Sequence, residues 1–179
     1  MGIRLRPLAP RGASFSACRR YRYRLWRAWG DPTKRLVIVG LNPSTADETT
    51  DDATIRRCTG FARRWGFGAV DVVNLFGWRS TDPLGLVGVA APVGVENDDA
   101  IAAACAVARR VVLAWGSHAK RRALRAMVAA RAAEVHGSVL ASGPGAVEVG
   151  TFGWNRDGQP KHPLYLSEGT AFVARARSR

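Results

Sequence analysis

The chain has 179 residues, with 27 Lys and Arg against 14 Asp and Glu, for a formal charge of +13 with histidine neutral. This excludes an acidic or neutral surface, and 47% hydrophobic residues at this length fit one buried core and exclude two full domains. No run of about 18 apolar residues occurs, and the arginine-rich start lacks the apolar stretch of a secretory signal, so a soluble cytoplasmic protein with no membrane contact is expected.

Tyr21, Tyr23 and Leu25 alternate with Arg20, Arg22 and Arg24, the period-2 pattern of a half-buried strand with an arginine face near a sheet edge. Residues 35–41 form a continuous apolar run after Arg35, expected to be a central strand buried on both faces and ending in the loop Asn42-Pro43-Ser44. Asp52 is placed to cap a helix over about 53–65, with Ile55, Cys58, Phe61, Ala62 and Trp65 on one side and Gly66 at its end. A second strand over 69–75, a Pro/Gly-rich connection over 80–94 and an alanine-rich helix capped by Asn97 follow. Residues 110–115 read as a third buried strand, 117 to about 133 as a third helix, and a fourth strand is expected within 138–152. The turn Asn155-Arg156-Asp157-Gly158 then leads to Lys161-His162-Pro163-Leu164-Tyr165-Leu166 and a basic tail.

Strands alternating with helices predict an α/β fold, a mostly parallel sheet of about four strands with helices on both faces. One domain is expected over 1–179, with its core at about 14–172 and short basic tails. Ligands in such sheets bind beyond the carboxyl ends of the strands, which singles out Asn42 to Thr45, Asn74 to Phe76 and Trp115 to His118. Cys18, Cys58 and Cys105 are widely spaced and in no ligand pattern, so neither a disulfide framework, a metal site nor a cofactor is expected.

The loop Gly40 to Asp47 has the Gly and Pro that turn a backbone sharply, but neither a P-loop nor a GxGxxG spacing. Asp47, Glu48, Asp51 and Asp52 cluster after it. They either complement the next helix N-terminus or work at the site as base or metal ligand. Asn74, polar at the end of an apolar strand, offers a donor and an acceptor, suited to reading a base edge or to anchoring a neighbouring loop. His162 precedes Pro163, whose restricted backbone would aim the imidazole in one direction. The net charge favours a polyanionic partner, with DNA expected. An arginine-rich composition alone accounts for the same excess.

Gly40-Leu41-Asn42-Pro43, Asn74, Leu113 to His118, and His162 to Ser167 resemble, in order and spacing, the motifs of the uracil-DNA glycosylase superfamily. More narrowly, LNPSTAD, DDATIRRC, FARRWG, VVNLF, AWGSHA and HPLYL resemble a bacterial and phage family of domains of unknown function. The superfamily resemblance implies a three-layer α/β/α sandwich with a four-stranded sheet and a base pocket at the strand ends. It makes Asn42 the residue that orients water, Asn74 the reader of a flipped base, and His162 the group that stabilises charge on the departing base. Leu164 and Tyr165 would fill the hole left in the duplex. Asp47 is a substitute water activator, Pro43, Ser44 and Phe76 are expected near the base, and Phe76, Trp78 and Trp154 are candidates to stack on it. Ser117, His118, Lys120, Arg121, Arg122, Arg56, Arg57 and the arginines 19, 20, 22 and 24 are expected phosphate contacts or solvated faces. The expected function is hydrolysis of the N-glycosidic bond of a damaged or modified base, such as a modified pyrimidine, in DNA by a monomer. A non-catalytic nucleic-acid-binding module and a hydrolase of a free modified nucleoside or nucleotide are the alternatives.

Overall fold

The apolar run at 35–40 becomes β3 (Arg35–Gly40), the middle strand of a seven-stranded sheet. In this computed structural model, residues 10–118, 120–142 and 147–175 are described, with side chains described outside 138–142. The other strands are β1 (Arg11–Phe15), β2 (Arg22–Ala28), β4 (Ala69–Asn74), β5 (Arg110–Leu113), β6 (Glu148–Thr151) and β7 (Val173–Ala174). They lie in the order β1-β2-β4-β3-β5-β6-β7.

This corrects the expected mostly parallel, four-stranded α/β/α sandwich. The pairings β4-β3, β3-β5 and β5-β6 are parallel, whereas β1-β2, β2-β4 and β6-β7 are antiparallel. Alternation of strand and helix reports only the parallel crossovers. It is silent about β1, whose Arg-Gly-Ala-Ser-Phe carries little apolar periodicity, and about β7, which spans two residues.

Helix α1 (Ala53–Arg64) starts where expected, with Asp52 accepting from Ile55 N–H at 2.8 Å. It places Ile55, Cys58, Phe61 and Ala62 on one sheet face, over Leu36, Ile38, Val70, Val72 and Val112. Helices α2 (Asn97–Ala106) and α3 (Arg122–Ser142) cover the opposite face over Val37, Val39, Val73, Val111 and Leu113. Asn97 is not the cap of α2. Its buried amide donates to Asn74 O at 3.0 Å and Leu75 O at 3.2 Å, tying α2 to the end of β4. α3 begins later than expected because Ser117 and His118 belong to the turn after β5. Of the span expected to hold a fourth strand, 143–146 lie outside the described residues.

The expected arginine face of β2 is also corrected. Arg24 is turned onto the sheet, where Asp71 of β4, with no exposure, accepts from Arg24 Nε at 2.8 Å and also pairs with Arg35 of β3. Arg22 is 2% exposed. Its backbone N–H leaves the β4 ladder for Gly77 O at 3.0 Å, beyond the strand end. Among the described residues no helix is long and apolar enough to cross a membrane.

Removing Asp71 would strand two guanidinium groups in the interior. Asp71→Ala should therefore cost about 3–5 kcal/mol in a denaturant titration, and a loss below about 1 kcal/mol would show that the clamp does not hold the sheet.

Candidate functional site

Parallel strands that end together leave backbone and loops converging on one side of the sheet. Here a cavity of about 700 Å³ opens beyond β3, β4 and β5. Ile38 and Val72 give it apolar lining from the strands and Ala114 from just past β5, while Asp52 and residues of α1, Ala53 to Ile55 and Cys58, line it from the side. The segment Lys161 to Leu166, which contains the short 3-10 turn Pro163–Tyr165, contributes another wall, and Ser80, Thr81 and Pro83 a further part.

Asn42, Ser44, Asn74, Ser117, His118, His162, Leu164 and Tyr165 all line this cavity, although they come from four separate stretches of chain. Asn42 Nδ2 donates to Pro43 O at 3.0 Å and Ser80 O at 2.8 Å. These two bonds fix the amide, and among the described residues nothing donates to its Oδ1, which leaves an acceptor. Asn74 is 3% exposed, and its Nδ2 is buried without a partner among the described residues. A buried unpaired donor is costly, so this one is a place for a ligand acceptor. Gly40 makes room for it: a Cβ there would lie 2.7 Å from Asn74 Oδ1. Asn97 and Arg131, through Leu75 O, hold the end of β4 from the opposite face.

His162 Nδ1 accepts from Leu164 N–H at 3.3 Å, so the neutral ring carries its proton on Nε2. Burial, followed by the neighbouring His118, pushes the imidazole below its ordinary value, against the opposing pull of Asp52. The site therefore presents a neutral N–H donor. Gly116, at φ +80°, turns the chain beside it, and a Cβ at that position would meet His162 Cβ at 3.3 Å. Ser117 Oγ donates to the Asp157 carboxylate, and Trp115 Nε1 donates to Gln159 Oε1 at 2.8 Å. Together these pin the 155–160 turn to the end of β5.

Other expected residues lie elsewhere. Asp47 does not line the cavity. Its Oδ1 accepts from Thr49 and Thr50 N–H at 2.8 and 2.7 Å, and these bonds draw its carboxyl down to about 2, so it shapes a turn. Asp52 is the carboxylate that does reach the cavity. Phe76 is buried in the core on the α2/α3 face, Trp78 packs against the same core, and Pro43 contributes its carbonyl to Asn42 and Ser80. Trp154 is 45% exposed and outside the lining. Arg57 is a strut, donating to Leu166 O and lying 3.7 Å from Glu168. Arg121 pairs with Asp82 at 2.9 Å and Arg19 with Glu48 at 2.8 Å. Arg20, Arg56, Lys120 and Arg122 are exposed. Among the described residues no group of three His, Cys, Asp or Glu comes together as a metal site.

Arg22, expected as a phosphate contact or part of a solvated face, lines the cavity instead of the surface, which alternation with tyrosines does not reveal. Nothing local signals that β2 leaves its ladder.

The depressed His162 value has a sign that can be measured. Proton uptake favours the unfolded chain, so its stability share is present above the ordinary value of about 6.5 and is lost as pH falls through the lower folded value. An NMR titration of the ring protons should give a midpoint below 6.5, and a midpoint at or above it would remove the neutral donor.

Comparison with known proteins finds no curated protein and no solved structure that matches the chain. The resemblance to the uracil-DNA glycosylase superfamily is accordingly not supported by any relative. A family model described as Protein of unknown function (DUF1643) does match, over residues 22–164, and since that is most of the chain, the protein belongs to this family.

Proposed function

We propose that the cavity takes a nucleobase and that the protein hydrolyses the N-glycosidic bond of a modified base, such as a modified pyrimidine, in cytoplasmic DNA. The observation that carries this reading is the convergence of Asn42, Asn74 and His162 on one cavity large enough for a base and its sugar. Each presents a different hydrogen-bonding group. The unpaired Asn74 amide suits a base edge, His162 Nε2–H suits an acceptor on the base, and Asn42 Oδ1 suits a water.

In such a reaction the bond from C1′ to the base nitrogen breaks, its electron pair leaves with the base, and water adds to the cationic sugar carbon. A neutral donor aimed at the base stabilises the developing negative charge most where water is excluded. The water must lose a proton. Asn42 cannot take it, whereas Asp52 keeps a second carboxylate oxygen beyond the one spent on Ile55 N–H. Leu164 and the 87% exposed Tyr165 stand on the lining where an extruded base would enter.

A second reading, a hydrolase of a free nucleotide, is favoured by the fate of the arginines. Arg19, Arg24, Arg57 and Arg121, expected as phosphate contacts or solvated faces, are engaged in intramolecular pairs. Salt separates the two, since duplex binding weakens steeply with ionic strength.

The test is a panel of single- and double-stranded oligonucleotides carrying uracil and other modified bases, followed by alkaline cleavage of abasic sites. Scission should fall roughly 100-fold or more in His162→Ala. Gly40→Ala, which displaces Asn74, should lose activity with little change in unfolding midpoint. Salt-sensitive binding with no scission on any member would reject turnover in favour of a binding module. Release of base from a free nucleotide, insensitive to salt, would establish the second reading.

A further inference from the structure

Among the described residues, Arg22 lacks the carboxylate that a buried guanidinium normally pairs with. It is 2% exposed, lines the cavity, donates from Nη1 to Ala46 O at 2.9 Å, and has an Nε without a partner among the described residues. No carboxylate pairs with it among the described residues, unlike Arg24, Arg27 and Arg35. Of the acids nearby, Asp51 holds Arg27 at 2.6 Å and Asp47 holds the Thr49–Thr50 turn, while Asp52 spends one carboxylate oxygen on Ile55 N–H and forms no ion pair with Arg22.

The surrounding charge compensates it only in part. The positive charges of Arg79 and Arg27 oppose that of Arg22, Asp52 supports it, and the buried Cys58 thiol is pushed up to about 12 and stays neutral. Burial lowers the guanidinium to about 10, which leaves it cationic at neutral pH. Arg79 donates to Ser44 O and Arg19 O and has no carboxylate among the described residues. An unpaired buried cation destabilises a fold unless an anion completes it. A planar guanidinium with open N–H groups matches the oxygens of a phosphate.

We propose that the Arg22 side of the cavity is a phosphate subsite, which binds the phosphate of the nucleotide whose base lies against Asn74 and His162. The subsite shares the nucleotide ligand with the reading above but does not depend on turnover. The phosphate belongs either to a free nucleotide or to a strand.

The experiment compares the wild-type protein with Arg22→Met at low ionic strength, using inorganic phosphate, thymidine, thymidine 5′-monophosphate and a short oligothymidylate as probes. Phosphate should raise the wild-type thermal midpoint, and the monophosphate should bind roughly tenfold or more tightly than thymidine. Both effects should vanish in Arg22→Met and survive in Lys34→Met, a control at an exposed residue outside the cavity lining. A matching loss of oligothymidylate affinity assigns the subsite to a strand phosphate, and an unchanged one assigns it to a free nucleotide. If Arg22→Met does not fold, Arg22→Lys, which keeps the charge but loses the planar fork, should weaken the preference without abolishing it. A wild-type protein with neither phosphate stabilisation nor monophosphate preference overturns the proposal, as does a preference that persists in Arg22→Met. Absence of scission would reject the hydrolase reading and leave these binding outcomes to stand or fall separately.

Discussion

The carboxylate of Asp71 lies wholly out of water between guanidinium groups from two different strands, Arg24 of β2 and Arg35 of β3. A buried charge in this position is tolerated only while both partners stay, and it therefore commits the strands on either side of β4 to their places. β3 joins β4 in parallel and β2 joins it in antiparallel, so Asp71 marks the point where a sheet built from parallel crossovers gains its reversed edge. The reversal matters for the site. A strand running backwards brings its first residue, Arg22, to the end where its neighbours finish, and this is how a cation from near the start of the chain comes to line the cavity.

The cavity itself depends on small residues and on backbone held from behind. Gly40 leaves space for the Asn74 amide, and Gly116 adopts a left-handed turn that lets His162 approach. On the opposite face, Asn97 and Arg131 occupy the carbonyls of Asn74 and Leu75, which fixes the strand end from which Asn74 projects. Arg57 ties the 3-10 segment to α1 through Leu166 O, and holds the wall that carries His162 and Leu164. Asn42, Asn74, His162 and Arg22 each keep a polar group without a partner among the described residues, and all four line one cavity.

Much of this was legible in the sequence where the signal is local and periodic. The apolar run of β3, the Asp52 cap and one-sided apolar pattern of α1, and the strand-end loops at Asn42, Asn74 and Trp115 follow from backbone preference and burial, and they lie where expected. The same reasoning failed for Asp47 and Asn97. A short polar side chain can serve its own turn, a helix end or a distant carbonyl at nearly equal cost, and only the assembled structure shows which neighbour is within reach.

Periodicity, capping and turn chemistry act over a few residues, so they suffice to mark the strands and helices of the parallel core and the loops at the strand ends. The antiparallel edges, the burial of Arg22, the pairing of Arg24 with Asp71 and the availability of Asp52 at the cavity arise only in the assembled fold. Pairing direction and charge compensation depend on partners tens of residues away, such as Asp71 for Arg24, and no local pattern encodes which of several arginines will find a carboxylate and which, like Arg22, will find none among the described residues.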